Sequence, residues 1–315
     1  MVATLGVHES VEAVFPPSSL VDALAGDADE RGVELRVVPE GDADALAGCD
    51  ALVTFAYEEA FLRADLEWIH SVQAGVDRFP FEDLESRGIA LTNSTGIHGD
   101  SVGDTVAGYM LTFARRLHVF RDQQREREWA WPAHDEAFSL RGERLCVVGL
   151  GGLGRGIAAR ADALGMEVVG VKRTPVPVTN VDRVVGPDGM TDAIADARFV
   201  ALAVPLTPAT EGLVGEPELA AMRDDAYLIN VARGSVVDES ALEVALADEV
   251  IAGAALDTFE TEPLPADSPL WDHEEVVVTP HAAAAHREYA ARVGDIVAES
   301  LRRRADCGGY ANRVV

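Results

Sequence analysis

The second half of the chain contains three segments in which polar side chains follow an apolar run. Together these segments supply an arginine, carboxylates and a histidine, among them Arg233, Asp257, Glu262 and His281. Hydride addition to a carbonyl builds negative charge on its oxygen, and a protonated histidine can donate a proton to that oxygen. A carboxylate on the other ring nitrogen orients such a histidine, and an arginine can bind an α-carboxylate through two parallel hydrogen bonds. These residue types match the chemistry of carbonyl reduction.

Each of these side chains also has an ordinary structural interpretation when it is taken singly. Arg233 fits a surface ion pair, Glu262 fits an acid that caps a loop, and His281 fits a buried histidine with satisfied hydrogen bonds. In open α/β sheets, however, ligands bind at the carboxyl ends of the strands. If the three apolar runs are neighbouring parallel strands, their polar residues converge at one edge, and this favours the catalytic interpretation.

A glycine-rich turn precedes these segments, between an apolar strand at Arg144–Val148 and an Ala-rich helix. Its residues include Gly149, Gly151, Gly152, Leu153 and Gly154. The glycines permit a tight turn, a close approach of backbone to a pyrophosphate, and close packing of helix on strand. The N-terminus of the helix adds free N–H groups and a partial positive charge. A lone G-x-G-x-x-G is often only a turn, but this context predicts a dinucleotide site.

The strand after the glycine turn ends at Lys172, Arg173 and Thr174, where an NAD enzyme usually places an acidic residue. Two cations and a hydroxyl suit the 2′-phosphate of NADP(H), with Arg173 binding as a fork and Lys172 as a point charge. The alternative is a solvated basic loop. Lys172 is the only lysine of the chain. We therefore expect NADP(H) to be preferred and NAD(H) to be possible.

The composition bounds the class of protein and its partners. The 315 residues include 54 acidic and 26 basic ones, with a net charge of −28, which argues against nucleic acid or an anionic membrane as partner. The mutual repulsion of the acidic residues costs stability and is screened by salt, so we expect a protein from a salt-rich cytoplasm. The alternative is an ordinary acidic protein, which the near absence of lysine disfavours. No membrane span, signal peptide or metal-ligand spacing is visible, and Cys49, Cys146 and Cys307 are too scattered for a disulfide framework.

Alternating strands and helices predict two parallel-sheet α/β domains. Residues 1–98 with 287–315 form the predicted substrate domain, and residues 99–286 form the predicted dinucleotide-binding domain. Between them, 93–100 is polar and turn-prone, as expected of a hinge. One long helix is predicted from about 102 to 128, ended by Trp129 and Trp131, which we expect to be core or interface anchors.

In their order along the chain, the motifs closely resemble those of the D-isomer-specific 2-hydroxyacid dehydrogenase family, from about residue 69 to residue 284. The matching segments are Ala74-Gly75-Val76-Asp77, the glycine turn, Pro205–Thr210, Asn230–Gly234, Asp257 with Glu262-Pro263-Leu264, and Pro280-His281. The resemblance implies two Rossmann-like, doubly wound domains that flank a cleft, hinged near 98–101 and 283–287. It also implies a homodimer that is paired through the cofactor domain.

The resemblance further implies a role for individual residues. Arg233 would bind the substrate carboxylate, His281 would be the acid/base, and Glu262 would be its partner. The backbone of Ala74, Gly75 and Val76 would hold the substrate carboxylate, and Asp257 would lie by the nicotinamide carboxamide. Further cofactor contacts are expected from Val204, Pro205, Thr210, Val231 and Ala232. Tyr57, with Phe55 and Ala56, is a candidate for the pocket of the substrate side chain, although these residues could equally serve packing.

The implied reaction is the reversible reduction of 2-keto acids to D-2-hydroxy acids. Alternatives within the family are glyoxylate or hydroxypyruvate reduction and the oxidation of phosphoglycerate, formate or phosphite. A nucleotide-sensing, corepressor-like protein is a further alternative, which the proton donor His281 disfavours because binding alone needs none. The chain departs from many relatives at Asp104-Thr105, where they carry an acid–histidine pair, and at Ala203, where they often carry a histidine.

Overall fold

The computed structural model describes residues 2–134, 136–306 and 308–315. The chain forms two α/β units, one of Met1–Ile97 with Ala285–Val315 and the other of His98–Ala284. We call them unit 1 and unit 2. Each contains one sheet whose strand pairs are all parallel, so the predicted fold class of two parallel-sheet α/β domains is confirmed.

Unit 1 is built on a five-stranded sheet in the order β2-β1-β3-β4-β5. Its elements up to residue 93 are β1 (Thr4–His8), α1 (Pro17–Arg31), β2 (Glu34–Val38), α2 (Ala43–Ala47), β3 (Ala51–Thr54), β4 (Trp68–Ser71), α3 (Phe81–Arg87) and β5 (Ala90–Asn93). Every residue of β3, β4 and β5 is buried. Burial on both faces is what a parallel sheet covered by helices requires.

Unit 2 is built on a seven-stranded sheet in the order β12-β11-β10-β9-β6-β7-β8. Its helices are α4 (Gly99–Ala114), α5 (Leu117–Glu126), α6 (Gly152–Ala163), α7 (Met190–Ala195), α8 (Glu216–Ala221) and α9 (Glu239–Ala247). Its strands are β6 (Arg144–Val148), β7 (Glu167–Val171), β8 (Arg183–Val185), β9 (Phe199–Leu202), β10 (Tyr227–Asn230), β11 (Gly253–Leu256) and β12 (Val276–Val278). The last helix of the chain, α10 (Tyr289–Ala305), belongs to unit 1 and packs against α1.

The register of unit 2 places the ends of six strands in one row. Val148 of β6 pairs with Val171 of β7 and with Leu202 of β9. On the other side of β9, Leu202 pairs with Asn230 of β10. Leu256 of β11 pairs with Asn230 and with Val278 of β12. The chain reverses its direction of winding between β6 and β9, which is where ligands bind in open α/β sheets. The glycine turn, Lys172, Arg233, Asp257 and His281 follow these strands at the same edge.

The predicted long helix over 102–128 is wrong, because the structure has two helices there. α4 ends at Ala114, and Arg116 has a positive φ of 56°, which breaks the helix before α5 begins. No residue of α5 is buried. Trp129 and Trp131 are 97% and 90% exposed, so they are not core residues.

Cys49 and Cys146 are buried free thiols, and Cys307 lies outside the described residues. Among the described residues, no helix has the length and apolar character needed to cross a bilayer.

Candidate active site

The glycine turn has the geometry that close approach to a phosphate requires. Gly149 has a φ of 99°, and a side chain there would meet the carbonyl of Ala203, the residue after β9. A side chain on Gly154 would overlap the carbonyl of Gly149. In contrast, the space around Cβ positions at Gly151 and Gly152 is open. Gly151 caps α6, whose first N–H groups have no partner within the helix, so the turn offers an anion-binding backbone.

Helix α6 is held in place by an unusually close crossing with α4. A Cβ atom on Gly156 would overlap the carbonyl of Gly99, and one on Gly103 would approach the carbonyl of Gly156 to 2.6 Å. Arg160 of α6 donates to Asp104 at 2.6 Å and to Asp100 at 3.1 Å on α4. Asp104, a position that departs from many relatives, therefore joins the two helices.

The residues expected to read the 2′-phosphate lie at the end of β7. The N–H of Lys172 donates to the carbonyl of Val185 on β8 at 3.0 Å, which fixes its backbone at the sheet edge. Lys172 is half-buried, and Arg173 and Thr174 are exposed. Within the described part of the chain, no carboxylate forms an ion pair with Lys172 or Arg173. In a chain this acidic, two cations without a carboxylate partner are suited to an external anion.

The segment after β9 forms a turn that is held by Thr210. Its hydroxyl donates to the carbonyl of Pro205 at 2.6 Å and accepts the N–H of Thr207 at 2.8 Å. Val204 and Pro205, two of the expected cofactor contacts, thereby lie directly beyond β9, the strand next to the glycine-turn strand β6. The hydroxyl of Thr210 forms its hydrogen bonds within the turn, so its role in this structure is to stabilise the turn.

Arg233 follows β10 in a turn that is stabilised by Asn230. The side-chain amide of Asn230 donates to the carbonyl of Arg233 at 2.9 Å, and its oxygen accepts the N–H of Ala232 at 3.0 Å. Nη1 of Arg233 donates to the carbonyl of Ala232 at 2.8 Å. Val231 and Ala232 are buried, whereas Arg233 is half-buried. An asparagine at the end of a strand, before a polar turn, is a sequence signal for this bracing role.

His281 and Glu262 form a hydrogen-bonded pair at the same edge. Nδ1 of His281 lies 2.9 Å from Oε2 and 3.1 Å from Oε1 of Glu262, and Oε1 also accepts the N–H of Phe259 at 3.2 Å. The two side chains are 27% and 31% exposed. No described residue hydrogen-bonds to Nε2 of His281. The pair thus fixes the ring through one nitrogen and leaves the other able to act on a ligand.

Asp257 braces the turn that carries His281. Its Oδ1 accepts the Thr279 hydroxyl at 2.7 Å and the N–H of Ala282 at 2.8 Å, and its Oδ2 accepts the N–H of Ala283 at 2.9 Å. Asp257 is only 2% exposed. The contact between Asp257 and a nicotinamide carboxamide stays a prediction. Oδ2 accepts one hydrogen bond and Oδ1 accepts two, so Oδ2 is the better placed to accept a further hydrogen bond.

Helix α4 contributes to the same brace through Tyr109 and Thr105. Because Thr279 donates to Asp257, the Tyr109 hydroxyl donates to Thr279, at 2.6 Å. Burial raises the pKa of Tyr109 to about 12, which keeps the phenol protonated for this role. The Thr105 hydroxyl donates to the carbonyl of Ala283 at 2.9 Å. Sequence reasoning missed Tyr109 and Thr279 because their partners lie far away along the chain.

In unit 1, the predicted substrate-binding residues follow β3 and β4, which are neighbours in the sheet. The turn at Ala74, Gly75 and Val76 is held by the side-chain amide of Asn93, which donates to the carbonyl of Ala74 at 2.7 Å. Within the described residues, the N–H groups of Gly75 and Val76 have no protein acceptor. Two such backbone donors are what a carboxylate requires. Tyr57 is half-buried after β3, with its ring centroid 5.8 Å from that of Phe79.

The residues of unit 2 fit a dinucleotide. The open glycine turn at the start of α6, the unpaired cations after β7 and the turn after β9 follow three adjacent strands. The described residues contain no group of three or more His, Cys, Asp and Glu side chains that could hold a metal ion. An arginine, an oriented histidine and a dinucleotide turn at one sheet edge can together bind an anionic carbonyl compound and protonate its oxygen.

Comparison with known proteins gives relatives for both units. Residues 107–283 match the family model of the NAD-binding domain of D-isomer specific 2-hydroxyacid dehydrogenases. A glyoxylate reductase from Korarchaeum cryptofilum is 35% identical over 266 residues, covering 80% of this chain and 79% of that protein. A glyoxylate reductase from Thermococcus litoralis is 34% identical over 282 residues, covering 87% of this chain and 83% of that protein.

A solved structure is similar over the whole chain. It is a D-isomer specific 2-hydroxyacid dehydrogenase from Xanthobacter autotrophicus Py2 in complex with NADPH and MES. It is 29% identical, has a TM-score of 0.83, and the match covers 100% of this chain and 98% of that one.

Proposed function

The chain belongs to the D-isomer specific 2-hydroxyacid dehydrogenase family of oxidoreductases, and we propose that it reduces small 2-keto acids to D-2-hydroxy acids with NADPH in preference to NADH. The observation that carries this proposal is the His281–Glu262 pair, which lies at the edge of the dinucleotide-binding sheet that also bears Arg233. A binding protein has no need of an oriented proton donor there.

In the proposed reaction, Arg233 binds the carboxylate of the keto acid and its positive field polarises the adjacent carbonyl. In unit 1, the N–H groups of Gly75 and Val76 are proposed donors to a carboxylate. A reduced nicotinamide, when bound by unit 2, would supply a hydride for the carbonyl carbon. His281 donates the proton from Nε2 to the carbonyl oxygen, and Glu262 holds Nδ1 and stabilises the charged ring. Asp257 keeps the turn of His281 in place through the amides of Ala282 and Ala283.

A panel of keto acids tests the proposal. Glyoxylate and hydroxypyruvate are the first candidates, because two relatives that are 34–35% identical are named glyoxylate reductases and another, 34% identical, is named glyoxylate/hydroxypyruvate reductase B. We expect oxidation of NADPH with at least one of these acids, measured at 340 nm in about 1 M KCl, and a smaller kcat/KM with NADH. Nicotinamide binding without turnover of any acid in a broad panel would favour a nucleotide-sensing protein instead.

The preference for NADPH is supported by Lys172 and Arg173 after β7. An acidic residue there would accept hydrogen bonds from the ribose hydroxyls of NADH and repel a 2′-phosphate, whereas these two cations attract it. The solved relative in complex with NADPH is consistent with this preference.

A homodimer that is paired through unit 2 is supported by two exposed tryptophans. Trp129 and Trp131 are 97% and 90% exposed, and exposed tryptophan pairs are typical of protein interfaces. We expect light scattering to give twice the chain mass, and Trp129→Ser with Trp131→Ser to give the monomer mass. Val244→Ser, which replaces a 60% exposed apolar residue on α9, is the control and should leave the dimer intact. A monomeric wild-type protein would contradict this assignment.

The net charge of −28 supports adaptation to a salt-rich cytoplasm. Raising KCl from about 0.1 M to about 1 M shortens the screening length from ~10 Å to ~3 Å, so the mutual repulsion of the acidic residues falls. We expect Tm, measured by calorimetry, to rise by several degrees over this range. A Tm that is indifferent to KCl would contradict the adaptation.

A further inference from the structure

A buried polar cluster lies between two strand ends of unit 1, outside the residues discussed so far. It consists of His8, Ser10, Thr54 and Glu58, and we call it the Ser10 cluster. His8, Ser10 and Thr54 are 2%, 8% and 0% exposed, whereas the Glu58 side chain is 32% exposed. Nδ1 of His8 lies 2.9 Å from Oγ of Ser10, which lies 3.0 Å from Oγ1 of Thr54. Buried polar groups linked in this way rigidify their surroundings.

The backbone N–H of Ser10 determines the tautomer of His8. The backbone N–H of Ser10 donates to Nδ1 of His8 at 3.4 Å, so Nδ1 is an acceptor and the ring hydrogen is on Nε2. Nε2 lies 3.3 Å from Oε1 of Glu58, to which it donates. Burial lowers the pKa of His8, although Glu58, Glu40 and Glu9 act in the opposite direction. A neutral ring with this tautomer joins Glu58 to Ser10.

The cluster holds the turn that follows β3. Oγ of Ser10 accepts the N–H of Phe55 at 3.2 Å and the N–H of Ala56 at 3.3 Å. The Thr54 hydroxyl donates to the carbonyl of Ala56 at 2.6 Å. The bond from His8 to Glu58 fixes the other end of the same turn. The backbone on both sides of residue 57 is therefore held by side chains from the β1 end and the β3 end.

Tyr57 links this turn to the turn that we propose binds the substrate carboxylate. Its ring lies 6.1 Å from that of Phe61 and 5.8 Å from that of Phe79, between ring centroids. The N–H of Phe79 donates to the carbonyl of Val76 at 3.0 Å. His8 also contacts Phe61, at 5.2 Å between centroids. The position of Tyr57 thus depends on the Ser10 cluster on one side and on the Gly75–Val76 turn on the other.

The arrangement of glutamate, histidine and serine superficially resembles a nucleophilic triad, but Ser10 cannot act as a nucleophile here. Its oxygen already accepts two backbone N–H groups and is almost fully buried. A nucleophile must present a free lone pair to its substrate. The Ser10 cluster therefore has a structural role, which is to hold the turn after β3 in position.

We infer that His8 and Ser10 are positioning residues that set the substrate preference by fixing the Phe55–Tyr57 turn against the side chain of the keto acid. This inference rests on the proposed function and adds a determinant of specificity to it. It predicts that the cluster matters only for acids with a side chain beyond the keto carbon. Glyoxylate carries a hydrogen at that position, so its reduction does not depend on the turn.

The experiment compares glyoxylate with hydroxypyruvate and 2-ketobutyrate in the intact protein. For Ser10→Ala we expect kcat/KM to fall about tenfold for the two longer acids, mainly through KM, and less than about twofold for glyoxylate. The KM for NADPH should not change. Ser18→Ala, an exposed serine of α1, is the matched control and should alter none of these values.

Glu58 provides a second pair of variants if Ser10→Ala does not fold. Glu58→Ala removes the hydrogen-bond acceptor for His8, and we expect kcat/KM for the two longer acids to fall about threefold while that for glyoxylate stays unchanged. Glu58→Gln retains an acceptor, so its kcat/KM values should stay close to those of the wild type. Equal losses with all three acids, or no loss with any, would overturn the inference. A wild-type protein that reduces none of the acids would instead overturn the proposed function, and this inference with it.

Discussion

Replacement of His281 by alanine is expected to lower kcat by about 10²–10⁴-fold while the Kd for NADPH is unchanged. His281 supplies the proton that neutralises the developing alkoxide, and the Glu262 carboxylate holds its ring in place. The glycine turn, Lys172 and Arg173 remain intact in the variant, so the cofactor should still bind. Steady-state kinetics with the best keto acid, together with fluorescence titration of NADPH, measure both quantities.

Glu262→Gln and a second histidine variant complete this test. The amide of glutamine keeps the shape of Glu262 but loses the charge that stabilises the protonated ring of His281, so we expect a kcat loss of up to ~10⁴-fold. His273→Ala, in the loop before β12, is the matched control and should keep wild-type kcat. A His281→Ala enzyme within about tenfold of wild type would contradict the proposed mechanism.

The double variant Lys172→Ala with Arg173→Ala is expected to reduce kcat/KM for NADPH by about 10²-fold and to change kcat/KM for NADH less than about threefold. Charge-assisted hydrogen bonds to a phosphate contribute ~1.5–3 kcal/mol each. Because Lys172 and Arg173 are partly exposed, we take the lower value for each, and the two together give about 10²-fold. NADH has no 2′-phosphate, so it loses nothing of this kind. The ratio of the two kcat/KM values, measured at one fixed KCl concentration, isolates the effect from general screening.

Arg183→Ala is the matched control for cofactor preference. Arg183 lies at the start of β8, where it pairs with Val169, so it is at the opposite end of the same pair of strands from Lys172. It carries the same charge and should leave the ratio of NADPH to NADH unchanged. An unchanged ratio in the Lys172 and Arg173 double variant would refute the assignment of the 2′-phosphate site.

Local patterns predicted the parts of the fold that depend on neighbouring residues. The apolar run at Arg144–Val148 has the predicted bounds as a strand, because a parallel strand that is covered on both faces needs a continuous apolar segment. The edge strand β8 was not predicted, since it has only three residues, none of them fully buried. The break at Arg116 was also missed, because α5 continues the helix-forming composition after a single left-handed residue.

The candidate site divides in the same way. The sequence by itself determined which residue types can transfer a proton, bind an anion and cradle a dinucleotide, and their order at the strand ends. Only the tertiary structure decided that Asp257 is buried under the His281 turn, that Tyr109 and Thr279 reach it from α4 and β12, and that Ser10 holds the turn before Tyr57. These contacts join residues that lie tens to more than a hundred positions apart. Their geometry depends on how the helices pack on the sheets, which no local pattern of residue types specifies.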